Sequence, residues 1–144
     1  MVLAVEGAER DETIMSTAFT LDFIGDYIRV RHPADYEITP ESQRQLWAEL
    51  GEASRKYNCR RVLAESSSPP RRNMNTVDAF KSAGQAANVS NMLRVACVFP
   101  GYHADETTEF FISAAYNRGV RIEFFSDRNE ALCWLRVDHG DRAD

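Results

Sequence analysis

Little in this chain could bind a metal or staple the fold. Three cysteines and three histidines occur in 144 residues. Cys59, Cys97 and Cys133 stand far apart, with no Cys-x-x-Cys or Cys/His spacing. That argues against zinc and against a disulfide framework, and it reads as reduced thiols in a reducing compartment. No apolar run approaches the roughly 18 residues a membrane span needs. Basic charge is also short: 17 Lys and Arg against 22 Asp and Glu leave a net charge of -5. A general nucleic-acid binder needs a basic face to displace counterions, so that class is excluded. The opening residues lack the basic start and long apolar centre of a secretory signal, carrying Glu6, Glu9, Asp11 and Glu12 instead. A cytoplasmic chain without a membrane span is the expectation. No Gly-x-Ser-x-Gly elbow surrounds any serine.

What is present is ordinary globular material, 44% apolar and 27% charged, enough for one domain with its own core. The clearest stretch is the last, from Gly119 to Leu135. Val120, Ile122 and Phe124 alternate with Arg121 and Glu123, the period of a strand with one face in a core. Asp127 followed by Glu130 marks a helix start, where a side-chain oxygen meets an orphan N–H and both acids suit the helix dipole. Trp134 anchors that helix.

Upstream, Thr17 to Phe23 and Tyr27 to Arg31 read as two strands joined through Ile24-Gly25-Asp26, with Pro33 stopping the second. Thr39-Pro40-Glu41 opens a helix whose buried face holds Leu46, Leu50, Ala53 and Tyr57, flanked by Trp47 and ended at Asn58. Arg61 to Glu65 is a strand. Ser66 to Asn75 is an irregular polar loop, and Thr76 offers a cap for a helix through Phe80 and Gly84. Leu93 to Phe99 reads as a central strand covered on both faces. Asp105 to Asn117 is a helix with Phe110, Phe111, Ala114 and Ala115 on its buried side, and Gly119 suits its C-cap. The expected fold is α/β, in the order ββαβαβαβα: a mixed, mostly parallel five-stranded sheet with about four helices. A single domain spans residues 15–136, with a flexible segment at 1–14 and a fraying tail at 137–144.

That order, closed by the strand and the Ser126-Asp127-Arg128-Asn129-Glu130-Ala131-Leu132-Cys133-Trp134-Leu135 helix, resembles the SpoIIAA-like branch of the STAS superfamily (sulfate transporter and anti-sigma-factor antagonist domains). The resemblance covers roughly residues 15 to 136. It implies a SpoIIAA-like/STAS-like domain in the cytosol without catalytic machinery or cofactor, acting on a protein partner such as a sigma-factor regulator or kinase. Relatives grade towards lipid- and small-ligand-binding domains. The family's antagonists carry a phosphorylated serine in Asp-Ser-x-Gly at the start of the helix after the third strand. Here the corresponding stretch is Ala64-Glu65-Ser66-Ser67-Ser68-Pro69-Pro70, without that motif. Ser66, Ser67, Ser68 and Thr76 are the hydroxyls nearby, and they are the phosphorylation candidates. By analogy the partner face is the helix from Thr76 with the loop before it.

Ligand sites in open α/β sheets lie beyond the carboxyl ends of the parallel strands. That rim would bring together Ser66 to Ser68 with Arg71 and Arg72, Gly101, Tyr102, His103 and Asp105, and Ser126 with Asp127. Arg71, Arg72, Tyr102 and His103 are the ligand candidates, because paired guanidinium groups hold anions. A solvated, proline-bearing loop is the plainer reading of the serine and arginine segment. A Ser67, His103, Asp105 hydrolytic set is the third reading; Asp105 more simply starts its helix. Cys97 reads as a small core hydrophobe and Cys133 likewise, while Cys59 is an exposed thiol whose ionised form Arg60 and Arg61 favour modestly. Most of Phe80, Phe110, Phe111, Tyr116, Phe124, Phe125 and Trp134 should be core. Adjacent pairs cannot both point inward, so one member of Phe110-Phe111 and of Phe124-Phe125 should face a groove, a ligand or a second copy in a homodimer.

Overall fold

Gly25, at φ +117, turns the chain through the hairpin from which the sheet is built outward. The computed structural model describes residues 14–15, 19–67, 71–72, 75–89, 93–103 and 105–136. The expected loose segments at 1–14 and 137–144 lie outside the described residues, apart from Ile14. Strands are β1 (Ile14–Met15), β2 (Thr20–Phe23), β3 (Ile28–His32), β4 (Glu37–Ile38), β5 (Arg61–Ser66), β6 (Arg71–Arg72), β7 (Arg94–Val98) and β8 (Arg121–Phe125). Helices are α1 (Pro40–Tyr57), α2 (Thr76–Val89), α3 (Glu106–Tyr116) and α4 (Arg128–Leu135).

The main sheet runs β1-β2-β3-β5-β7-β8. β1, β2 and β3 pair antiparallel, while β3, β5, β7 and β8 are parallel neighbours. This is the expected mixed sheet of five strands, with the two-residue β1 added at the hairpin edge. Strands follow one another in chain order, and right-handed crossovers then place every connecting helix on one face. The packing agrees. Leu46, Trp47 and Leu50 of α1, Ala83 of α2, and Ala114 and Ala115 of α3 bury against Val30, Val62, Val95 and Ile122. On the opposite face α4 buries Ala131, Leu132 and Leu135 against Tyr27, Leu63, Ala96 and Val98.

Local signals fix most element ends. Thr39 Oγ1 accepts from the Ser42 N–H at 3.0 Å and Ser42 Oγ accepts from the Thr39 N–H at 3.0 Å, a reciprocal cap on α1. Asn58 closes that helix in the left-handed conformation, φ 51. Asp127 Oδ2 accepts from the Glu130 N–H at 3.0 Å and starts α4.

Four expectations are corrected. The cap of α2 is Asn75, whose Oδ1 accepts from the Asp78 N–H at 2.9 Å; Thr76 is the first helical residue. The 66–75 segment is not irregular throughout, because β6 pairs with β4 in a separate parallel ladder, Glu37 opposite Arg71 and Ile38 opposite Arg72. Phe80 and Phe110 are not core: they are 45% and 40% exposed, with rings 6.2 Å apart. Cys133 is exposed, since Ala131, Leu132 and Leu135 take the inward side of its helix.

Candidate functional site

Beneath the carboxyl rim, between the sheet and α1, α2 and α3, lies a partly open apolar slot of about 80 Å³. Leu46 and Leu50 on α1, Ala79 on α2, Phe111 on α3, and Val95 and Phe124 on the sheet line it. The alternation of each strand explains the wall: Ala64, Val95, Ile122 and Phe124 occupy the positions facing the three helices.

Polar groups also line the slot and are tied to one another. The Trp47 indole N–H donates to Ser82 Oγ at 2.9 Å, Ser82 donates to Gln43 Oε1 at 3.2 Å, and Gln43 Nε2 donates to the Tyr36 hydroxyl at 3.3 Å. The chain of bonds joins α1, α2 and the segment after β3, satisfying groups that would be costly to bury alone. His32, at the end of β3, is buried and stacks on Tyr36 with ring centroids 3.8 Å apart. Burial raises the Tyr36 pKa, against the hydrogen bonds from Ser42 and Gln43. Cys97 also lines the slot. Its side chain keeps some area open to that cavity yet sits deep in the domain, and desolvation pushes its thiol up to about 12.

Of the residues anticipated from sequence, Ser66, Ser67, Tyr102 and His103 are not part of the slot's lining. Ser66 is buried at the end of β5, opposite His32 in the strand register. Ser67 is exposed, and Ser68 lies outside the described residues. Arg71 and Arg72 form β6, and Thr76 opens α2. Tyr102 stacks on Phe124, centroids 5.3 Å apart and planes at 18°. Burial raises its pKa, and the carboxylates of Glu109, Asp105 and Glu123 add to the effect. His103 is exposed. Asp105 Oδ1 accepts from the Thr108 N–H at 2.8 Å, the helix-start role its position suggested. Cys59 is half-buried, with Sγ 3.6 Å from the carbonyl oxygens of Asp26 and Arg61. Its pKa is raised by desolvation, so its thiolate is not favoured.

The aromatic pairs divide as their adjacency requires. Phe111 lines the slot while Phe110 faces out. Phe124 lines the slot while Phe125 packs against Trp134 on the other face, at 5.9 Å. Sequence reasoning missed His32, Tyr36, Gln43 and Ser82. A signal for His32 existed: it shares the period of Ile28 and Val30. Among the described residues no cluster of side chains could hold a metal ion, and no helix is long and apolar enough to cross a membrane. No family model matches this chain, and no curated protein matches it.

Proposed function

We propose that this chain is a non-enzymatic, STAS/SpoIIAA-like binding and regulatory module, and that the slot beneath its carboxyl rim takes a small apolar, lipid-like ligand. The slot carries the reading: its walls are mostly apolar, while Tyr36, Gln43 and Thr108 add a few polar groups to the lining. Binding sites of this kind combine a mostly apolar lining with a few placed polar groups. Volume narrows the ligand. A dry cavity of about 150 Å³ takes a benzene ring, and this one is about 80 Å³. A narrow aliphatic end therefore enters, and the rest of the ligand emerges at the rim. Arg71, Arg72, Tyr102 and His103, the ligand candidates read from the sequence, are the groups we propose for an anionic head. Native mass spectrometry of gently purified protein tests this directly: a co-purifying apolar small molecule is expected, and protein of bare chain mass that takes up no added short-chain amphiphile contradicts it.

A second reading, docking of a protein partner such as a sigma-factor regulator or kinase, is favoured by Val77, Phe80 and Phe110 on the outer side of α2 and α3, which are 60%, 45% and 40% exposed. Three large apolar side chains on neighbouring helices form a patch of the kind that marks an interaction surface, a homodimer contact included. Failure of a Phe80→Ser, Phe110→Ser variant to alter self-association or partner capture would remove this reading.

A further inference from the structure

Arg61, Arg94 and Arg121 each open a parallel strand, and the register sets them directly beside one another across β5, β7 and β8. Their neighbours along the strands, Leu63 and Ala96, belong to the core under α4, so all three side chains leave the sheet on the α4 face. Strand spacing of about 4.8 Å puts the outer two roughly 10 Å apart. Arg136, the residue closing α4, adds a fourth guanidinium, and Arg60 lines the adjoining recess. The proximity is felt: Arg94 has its pKa lowered by desolvation first and then by Arg121, Arg136 and Arg61.

Like charges placed opposite one another in a sheet destabilise it, and this chain carries a net charge of -5. A basic row against the overall sign needs a reason. Arg94 has a structural one: its guanidinium lies 4.0 Å over the Trp134 ring, and its Nε donates to the Trp134 carbonyl at 3.1 Å. That fastens the end of α4 but leaves Arg61 and Arg121, both exposed, without such a role. Among the described residues no ion pair joins any of the four to a carboxylate. Asp26 lines the same recess as Arg61 and Arg94, and Glu123 stands two residues along β8 from Arg121.

We propose that the row of Arg61, Arg94 and Arg121, extended by Arg136, binds clustered phosphoryl groups. A lone carboxylate engages one guanidinium fork. Several adjacent forks suit an anion carrying several charges and many acceptor oxygens, which phosphoryl groups supply in bidentate geometry. The site lies at the amino-terminal ends of the strands and on the α4 face, so it is separate from the slot. The ligand is either a soluble polyphosphorylated molecule or a phosphorylated lipid headgroup.

Titration calorimetry of the full chain with sodium tripolyphosphate tests the soluble source. Co-sedimentation with phosphatidylcholine vesicles carrying a phosphatidylinositol bisphosphate tests the lipid source. Saturable, salt-weakened binding is expected in at least one arm, and the responsive arm identifies the source. The double variant Arg61→Gln, Arg121→Gln should weaken it about tenfold or more, since removing even one charge-assisted hydrogen bond has an effect of that size. An Arg44→Gln, Arg55→Gln variant removes equal charge from α1 and should retain binding. Absence of binding in both arms overturns the proposal, and so does equal weakening in the two variants.

Discussion

The Trp47 indole N–H and the Ser82 hydroxyl, 2.9 Å apart, hold α1 and α2 together across the slot. Both groups are buried, and Ser82 passes the bond on to Gln43. Replacing Ser82 with Ala strands the indole N–H and the Gln43 carbonyl in an apolar setting. The expected cost is about 1–3 kcal/mol, read from urea denaturation with an unchanged slope. A neutral result would mean that the slot already admits water to these groups.

Alkaline pH should unfold this protein sooner than an ordinary domain of its size. The Cys97 thiol ionises in the unfolded chain near its ordinary 9.0 but in the fold only at about 12. A raised folded pKa contributes stability that is complete below the unfolded value and is lost as pH rises through the window between the two. The loss across that window is on the order of a few kcal/mol. Tyr36 and Tyr102, raised by burial as well, act in the same direction as pH rises above their ordinary 10.0. Guanidinium denaturation at successive pH values should show the decline, and Cys97→Ala should flatten its lower part. In the native state at neutral pH, a maleimide should modify exposed Cys133 well before Cys97.

Asp127 should matter more than its exposed position suggests. Its carboxylate satisfies the Glu130 N–H at the start of α4, and α4 covers Leu63, Ala96 and Val98. Asp127→Ala should cost about 1 kcal/mol, with Asp127→Asn recovering most of it. Thermal melting of the three proteins side by side decides this, and equal midpoints would show that the helix is held by Leu132 and Leu135 alone.

On the outer side of α2 and α3, Phe80 and Phe110 touch each other, and Arg118 lies 4.4 Å over the Phe80 ring. Phe110→Ser should lower stability by no more than about 1 kcal/mol, because a half-exposed ring has little burial to lose. If the patch is a contact between copies, as the docking reading allows, the same change should shift sedimentation velocity towards the monomer. Unchanged sedimentation with unchanged stability would leave the patch without a role.

Much of the fold is written in short-range chemistry. Thr39-Pro40, Asp105, Asp127 with Glu130, and Gly119 at φ +91 each fix an element end through groups a few residues apart, so the sequence announces them. Alternation in Val120, Ile122 and Phe124 likewise reports one face of one strand. The slot is different, because His32, Gln43, Ser82 and Phe111 come from four elements and meet only after the sheet is assembled. The inward turn of Phe110 failed for a similar reason: helical periodicity locates a stripe, but Phe111 takes the slot and leaves its neighbour outside. β4 and β6, two residues each, are too short to carry any period. Of the arginine row only Arg61 opens a strand in the sequence pattern; Arg94 and Arg121 follow Leu93 and Val120 there, and only the parallel register makes the three neighbours.

The most direct measurement is a fluorescence titration with decanoate in a Trp134→Phe background, which leaves Trp47, a residue of the slot wall, as the reporter. A saturable change in Trp47 emission is expected, abolished by Ala79→Leu, which adds bulk to the slot wall, in protein whose circular dichroism matches that of the parent. No saturable change, or the same change in the filled variant, would contradict an apolar ligand site beneath the carboxyl rim.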